Sequence, residues 1–309
     1  MLIRPQAPNA VIMVRPHKFT PNLETRDDNT FQTRVDSNQS SGIAKKAYEQ
    51  VSQAVDQLSD AGITVKLFED ETTDTPDSVF PNNWFSTHPG GQIVLYSMYA
   101  KNRRKERRSD IIEYLKQTFF VQEITDYSAW EFEEIFLEGT GAMVLDHLER
   151  VVYAAHSKRC DARLLERFCT RFNYNAVTFN AANRDNIAVY HTNVLLCIGT
   201  QFAMGGFNMI ADAGQRYAVI ERLQRSGRQI IELSEAQVNA FCGNALELSG
   251  NRGAVLALSQ TAYNALTQEQ ISVLSGSVEL LPIDVSAIEM AGGSIRCMLA
   301  GVHLSERLK

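Results

Sequence analysis

Short apolar segments and an amphipathic helix alternate in the same order five times along this chain, so any fold it adopts has to be modular. The first copy has an apolar segment at 9–15, then Ala44, Ala47, Tyr48, Val51, Ala54, Val55 and Leu58 at helical spacing, then a second segment at 63–68. In the second copy, strands at 84–88 and 92–96 flank Pro89-Gly90-Gly91, a hairpin signal, and precede a helix at 106–117 and a strand at 120–124. The third copy pairs 142–145 with 151–155 and continues with a helix at 161–172 and a strand at 176–179. The fourth has strands at 194–198 and 202–203, a helix at 213–225 and a strand at 229–233; the fifth has 246–248, 255–258, a helix at 268–274 and 278–281. A unit of roughly 50 to 60 residues cannot bury its own apolar face, so neighbouring copies must pack together. The sequence therefore predicts an α/β fold, one domain over residues 1–309, in which five hairpin-helix-strand modules close like a propeller. The segment after Cys297 has one natural place to go, the first module.

Four short segments set polar groups beside glycine or apolar strand residues. They are Asp77-Ser78-Val79-Phe80-Pro81-Asn82-Asn83-Trp84, Leu137-Glu138-Gly139-Thr140-Gly141, Tyr190-His191-Thr192-Asn193 and Gly292-Gly293-Ser294-Ile295-Arg296-Cys297-Met298. They fall in modules two to five, and a ring would bring equivalent positions to one mouth. Glycines at 292 and 293 allow close approach of backbone to a ligand, and the residues after Cys297 are expected to form a strand holding the sulfur at its start. A lone cysteine is more often packing material, and a lone histidine such as His191 on an apolar strand is more often a satisfied core residue. Their joint placement with Glu138 favours a site.

Other function classes find little support. The net charge of −6 is modest and its charges are interspersed, which argues against nucleic acid or anionic lipid as a partner. The densest basic run, 101–108, reads mainly as a solvated loop and helix start, from which one or two arginines could reach a substrate carboxylate. The five cysteines and six histidines show neither disulfide nor metal-ligand spacing, so no metal is expected. Without an apolar run long enough for a signal peptide or a membrane span, and with unpaired thiols, the expectation is a cytoplasmic protein.

The order of Asp-Ser-Val-Phe, Leu-Glu-Gly, an isolated histidine and a terminal Gly-Gly-Ser-Ile-Arg-Cys-Met resembles the guanidine-modifying amidinotransferase superfamily, over essentially the whole chain. Pro-Asn-Asn-Trp-Phe-Ser-Thr-His at 81–88 and Val-Arg-Pro-His at 14–17 look most like its citrulline-hydrolysing branch. The resemblance implies a five-bladed α/β-propeller (pentein) fold, no cofactor, a small amino-acid substrate and an optional homo-oligomer. It implies Cys297 as nucleophile, His191 as general acid/base and Glu138 as the carboxylate that orients the planar substrate head. Asp77 belongs to the same binding group, and Arg103 and Arg159 sit near positions where relatives bind the substrate carboxylate, with Arg104 and Arg296 as competitors. Asn83 and Asn193 depart from the pattern, because relatives that bind guanidinium carry aspartate there. A guanidinium offers only donors, whereas a ureido group also has a carbonyl oxygen, and an amide side chain serves both. The expected reaction is hydrolysis of citrulline to ornithine, ammonia and carbon dioxide through a covalent cysteine adduct. A guanidine hydrolase acting on arginine or methylated arginine, and a non-catalytic binding scaffold, are the alternatives.

Overall fold

Each of the five modules builds one three-stranded sheet by the same rule. Its middle strand runs antiparallel to the first strand and parallel to the last. The computed structural model describes residues 6–26, 29–33 and 40–307. Its strands are β1 (Ala10–Pro16), β2 (Thr64–Asp70), β3 (Phe85–His88), β4 (Gln92–Leu95), β5 (Glu123–Asp126), β6 (Val144–Asp146), β7 (Val151–Ala155), β8 (Asn175–Phe179), β9 (Leu196–Ile198), β10 (Phe202–Gly205), β11 (Gln229–Glu232), β12 (Leu246–Ser249), β13 (Ala254–Ser259), β14 (Glu279–Ile283) and β15 (Ala300–Gly301). The sheets are β15-β1-β2, β3-β4-β5, β6-β7-β8, β9-β10-β11 and β12-β13-β14. As expected, the strand after Cys297 joins the first module, with Val11 opposite Gly301 and Ile12 opposite Ala300.

A helix joins the middle and last strands of each module, which a parallel pair requires. These helices are Ser40–Asp60, Ser109–Thr118, Ala162–Phe172, Ala213–Arg225 and Gln268–Ser275. Ala47, Val51, Ala54 and Leu58 lie along one stripe of the first and pack into a core with Val11, Met13, Val255 and Ala257, so this helix seals sheets from modules one and five together. The ends are chemically set. Asp161 accepts the Arg163 N–H at 2.9 Å to start its helix, and Asn173 ends it in the left-handed region. Thr267 and Gln270 form a reciprocal capping box.

Polar side chains bridge the modules. Arg228, fully enclosed, makes a bidentate pair with Asp146 at 2.6 and 2.9 Å and so joins module four to module three. Gln6 donates to both Leu145 O and Ile198 O across the same seam. Among the described residues no helix is long and apolar enough to cross a membrane.

Several elements differ from the sequence reading. The strand expected at 120–124 lies instead at β5, because Phe120 N–H bonds to Ser305 O and Phe119 bridges Glu306, so this stretch pairs with the C-terminal segment. The strand expected from 194 begins only at Leu196, after a single helical turn over Thr192–Leu195. That turn is fixed by Thr192 Oγ1, which donates to Ala142 O and accepts from Ala155 N–H, and this tertiary anchoring overrides the extended preference of Thr192 and Val194. The basic run at 101–108 is largely folded in: Arg103 is buried against Glu106, and Arg107 pairs with the buried Glu131.

Burial keeps several histidines neutral. It pushes His88 down to about 3 and His191 and His303 to about 4, and it lowers His147 well below its usual range. An unfolded histidine titrates near ~6.5, so between that pH and about 4 the unfolded chain takes up protons that the native state refuses. Stability is therefore expected to fall as pH falls through this window, by about 1.4 kcal/mol per histidine per pH unit. Urea unfolding at pH 7 and pH 5 should differ by several kcal/mol; equal stabilities would contradict neutral burial.

Candidate active site

The first strand of four modules is entered through a single helical turn: Pro81–Asn83 before β3, Gly139–Ala142 before β6, Thr192–Leu195 before β9 and Ile295–Met298 before β15. Asn83 ends the first of these turns, Glu138 and His191 immediately precede the second and third, and Cys297 lies within the fourth. His191 is not on a strand, contrary to expectation, and the strand after Cys297 begins only at Ala300. The turn places each side chain beside the strand end rather than on the sheet face.

Equivalent turns converge. Asp77, Asn83, Arg103, Arg159, His191 and Cys297 line one small cavity. Glu138 is completely buried beside it, and Asn193 reaches it through the sulfur. Arg104 and Arg296 do not line it.

Cys297 Sγ accepts two side-chain amides, Asn193 Nδ2 at 3.3 Å and Asn244 Nδ2 at 3.2 Å. Such donors stabilise negative charge as it develops on sulfur. Close packing shapes the loop before it. Gly292 has φ +82°, and a Cβ there would meet the Asn29 side chain at 2.4 Å, while a Cβ on Gly293 would strike the Phe80 ring at 2.8 Å. Tyr190 clamps the loop by donating its hydroxyl to Gly292 O at 2.6 Å.

His191 Nε2 is 2.8 Å from Glu138 Oε2. With Nε2–H donating to the carboxylate, Nδ1 carries the lone pair and can accept a proton. Glu138 Oε1 accepts the Tyr99 N–H at 2.9 Å, and Arg159 Nη1 lies 3.4 Å from Oε2. Burial would raise the Glu138 carboxyl, but Arg159, His191 and Arg103 together outweigh it and hold the group well below the usual carboxylate range. The histidine shows the reverse balance, since burial wins over the pull of Glu138.

Arg103 is committed to protein. Its Nε and Nη2 hold Glu106 at 2.9–3.2 Å, and Nη1 donates to Asn83 Oδ1 at 2.9 Å. Tying that oxygen leaves Asn83 to present its NH₂, and Nδ2 has no partner among the described residues. Asp77 Oδ2 accepts from Asn22 at 2.7 Å, whereas Oδ1 has no partner among the described residues. Burial raises the Asp77 carboxyl, against the opposing pull of Arg103. Asn83 Nδ2 and Asp77 Oδ1 are thus a buried donor and a buried acceptor that a planar ligand with C=O and N–H groups would complete.

Asn244 is the residue that the sequence reading missed. Besides the sulfur it donates to Asn193 O at 2.9 Å, and its own Oδ1 accepts the Ser294 N–H at 3.2 Å. It lies just before β12, so it is module five's counterpart of the four helical turns. The fivefold repeat carries that signal, because the Cys297 segment enters the first module's sheet and leaves module five needing an entry of its own.

A family model described as "N,N dimethylarginine dimethylhydrolase, eukaryotic" matches residues 15–304. No curated protein sequence gives a significant match. Among solved structures, the N-terminal domain of ArgZ, an arginine dihydrolase from the ornithine-ammonia cycle in cyanobacteria, superposes with a TM-score of 0.74 at 16% identity, covering 96% of this chain and 98% of that one. AgrE in complex with ornithine and NAD+ has a TM-score of 0.74 at 17% identity; 97% of this chain is covered but only 40% of AgrE. A dimethylarginine dimethylaminohydrolase adduct has a TM-score of 0.63 at 16% identity, covering 94% and 98%. At these identities the superpositions establish a shared α/β fold, with which the five small sheets agree.

Proposed function

Because the chain belongs to the N,N-dimethylarginine dimethylhydrolase family of the pentein (amidinotransferase) superfamily, we propose that it is a cysteine-dependent hydrolase whose substrate is the ureido group of citrulline. The activities of similar structures, an arginine dihydrolase and a dimethylarginine dimethylaminohydrolase, support hydrolysis at a guanidine-type C–N bond. We read the five sheets as blades of one closed α/β-propeller domain with the site at its mouth.

The observation that carries the substrate assignment is the Asn83 and Asp77 pair. A ureido carbonyl oxygen would accept from Asn83 Nδ2, and a ureido N–H would donate to Asp77 Oδ1, satisfying both buried groups. Arg103 fixes the orientation of Asn83, and Arg159 supplies positive charge for the substrate carboxylate. In the reaction, His191 takes the thiol proton as Cys297 attacks the ureido carbon, and Asn193 and Asn244 steady the sulfur. The resulting imidazolium protonates the departing nitrogen, the C–N bond breaks and a carbamoyl-thiol adduct remains. His191 then deprotonates water, which displaces sulfur; the carbamate so formed loses carbon dioxide. One water is consumed for each ornithine, ammonia and carbon dioxide formed, and no redox step occurs.

A second reading, hydrolysis of arginine or a methylated arginine, has its own support. Three buried carboxyl groups, Asp77, Glu106 and Glu138, lie around two buried guanidiniums, Arg103 and Arg159, and a bound cation would favour the ionised forms of Asp77 and Glu106, which burial raises. Incubating the protein with citrulline and with arginine and quantifying ornithine, citrulline and ammonia separates the readings. Ornithine and ammonia from citrulline are expected; faster turnover of a guanidino substrate would overturn the assignment.

Asn83→Asp tests its physical basis. The variant loses the donor to the carbonyl oxygen and gains a charge, so kcat/KM for citrulline should fall roughly 30- to 150-fold, the effect of about 2–3 kcal/mol for an unmade buried bond. The ratio of arginine to citrulline binding should rise. Unchanged specificity would show that Asn83 does not read the carbonyl.

A further inference from the structure

A second cavity runs along the first strands of all five sheets. It is small, about 50 Å³, and is walled by residues of β3, β6, β9, β12 and β15, among them Thr87, Leu145, Ile198, Leu246 and Gly301. The Cys297 cavity lies where those strands are entered, so this second one continues down the strands. Its lining includes Arg296, His147 and His303 and contains no carboxylate.

Arg296 directly precedes Cys297 and turns away from it. Its guanidinium donates to Leu299 O at 3.1 Å, and among the described residues it forms no ion pair. The buried arginines described above each have a carboxylate partner: Arg103 with Glu106, Arg159 with Glu138 and Arg228 with Asp146. A half-buried guanidinium with one carbonyl partner retains most of its five donors and its whole charge. The imidazoles beside it add donors without adding carboxylate. His147 and His303 rings stand 4.3 Å apart, and His147 Nδ1 is engaged by Tyr174 OH at 2.9 Å, which fixes that ring. The backbone N–H of His303 donates to Thr87 Oγ1 at 2.8 Å and ties that residue's main chain to β3.

We propose that this cavity is a binding site for a small planar oxyanion, with Arg296 as its cationic fork and His303 and His147 as the flanking polar wall. A planar monoanion matches the guanidinium's parallel N–H groups and would supply the charge that the lining lacks. The site is separate from the proposed reaction, and its test reads binding rather than turnover.

Nitrate is the probe, titrated calorimetrically into the full chain at constant ionic strength with a bulky organic sulfonate as the background anion. Saturable binding at one site is expected, retained in Cys297→Ala and weakened at least tenfold in Arg296→Gln. Wild-type affinity in Arg296→Gln, or no saturable binding to the wild type, would overturn the proposal. Should Arg296→Gln fail to fold, bromide soaked into wild-type crystals decides the matter. An anomalous peak at ion-pair distance from the Arg296 guanidinium supports the site; a peak only in the Cys297 cavity, or none, refutes it.

Discussion

Cys297→Ser is expected to lower kcat for citrulline by at least about 10⁴-fold while leaving the fold intact, the scale of loss when a covalent nucleophile is removed. Serine is the informative replacement. Its hydroxyl can still accept from Asn193 and Asn244, so the two amides that reach the sulfur at 3.3 and 3.2 Å keep a partner. Cys297→Ala strips that partner away and should cost a further ~1–3 kcal/mol of stability for the stranded donors. The pair of variants therefore separates chemistry from folding. Turnover should be lost in both, whereas the urea midpoint should drop clearly only in the alanine variant. Residual activity within tenfold of wild type in Cys297→Ser would sink the covalent mechanism. Mass spectrometry of wild-type protein quenched during turnover should reveal a carbamoyl adduct on the peptide carrying Cys297.

Glu138→Gln should be nearly as damaging for a different reason. The carboxylate is fully enclosed and faces Arg159, His191 and, at 3.9 Å, Arg103. Removing one partner of a buried ion pair leaves the other charge uncompensated and typically costs ~3–5 kcal/mol. With the one remaining amide oxygen held by the Tyr99 N–H, the new NH₂ faces Nε2 and favours the wrong tautomer, a change worth roughly 10⁴-fold in kcat where a histidine depends on a buried carboxylate. The sign with pH follows from the depressed Glu138 carboxyl. Its stabilising contribution is complete above the unfolded value of about 4.3 and declines as pH falls toward the lower native value. The stability gap between wild type and Glu138→Gln should thus be widest near neutrality and narrow below about pH 4. A gap that is small at pH 7, or that grows in acid, would show that Glu138 is not held as a paired carboxylate.

The site and the fold depend on one another through the module entries. Asn83, Glu138, His191 and Cys297 occupy or adjoin one-turn helices that feed the first strands of four different sheets. A rigid sheet sets each turn, and packing between sheets sets the distances among them, so the constellation rests on scaffold rather than on loops. Gly141 shows how little room remains. A Cβ at that position would meet Asn83 Nδ2 at 2.3 Å and His191 Nδ1 at 2.8 Å.

The sequence by itself determined the modular plan, because helical and extended periodicities recur locally and each depends on neighbouring residues. It located the helices at 162–172 and 213–225 almost to the residue, and it sent the last strand to the first module. It also singled out Cys297, His191, Glu138, Asp77 and Asn83 through short motifs that set polar groups beside glycine or apolar strand residues. Only the tertiary structure decided which partners those groups have. That Arg103 is spent on Glu106 and Asn83, that Asn244 reaches the sulfur, and that Arg296 faces a different cavity from its neighbour Cys297 all depend on contacts between residues far apart in the chain. The same holds for the turn at Thr192–Leu195, where bonds to Ala142 and Ala155 overcome a local extended preference. Periodicity is a property of the chain near one residue, whereas a hydrogen-bond partner is a property of the packed whole.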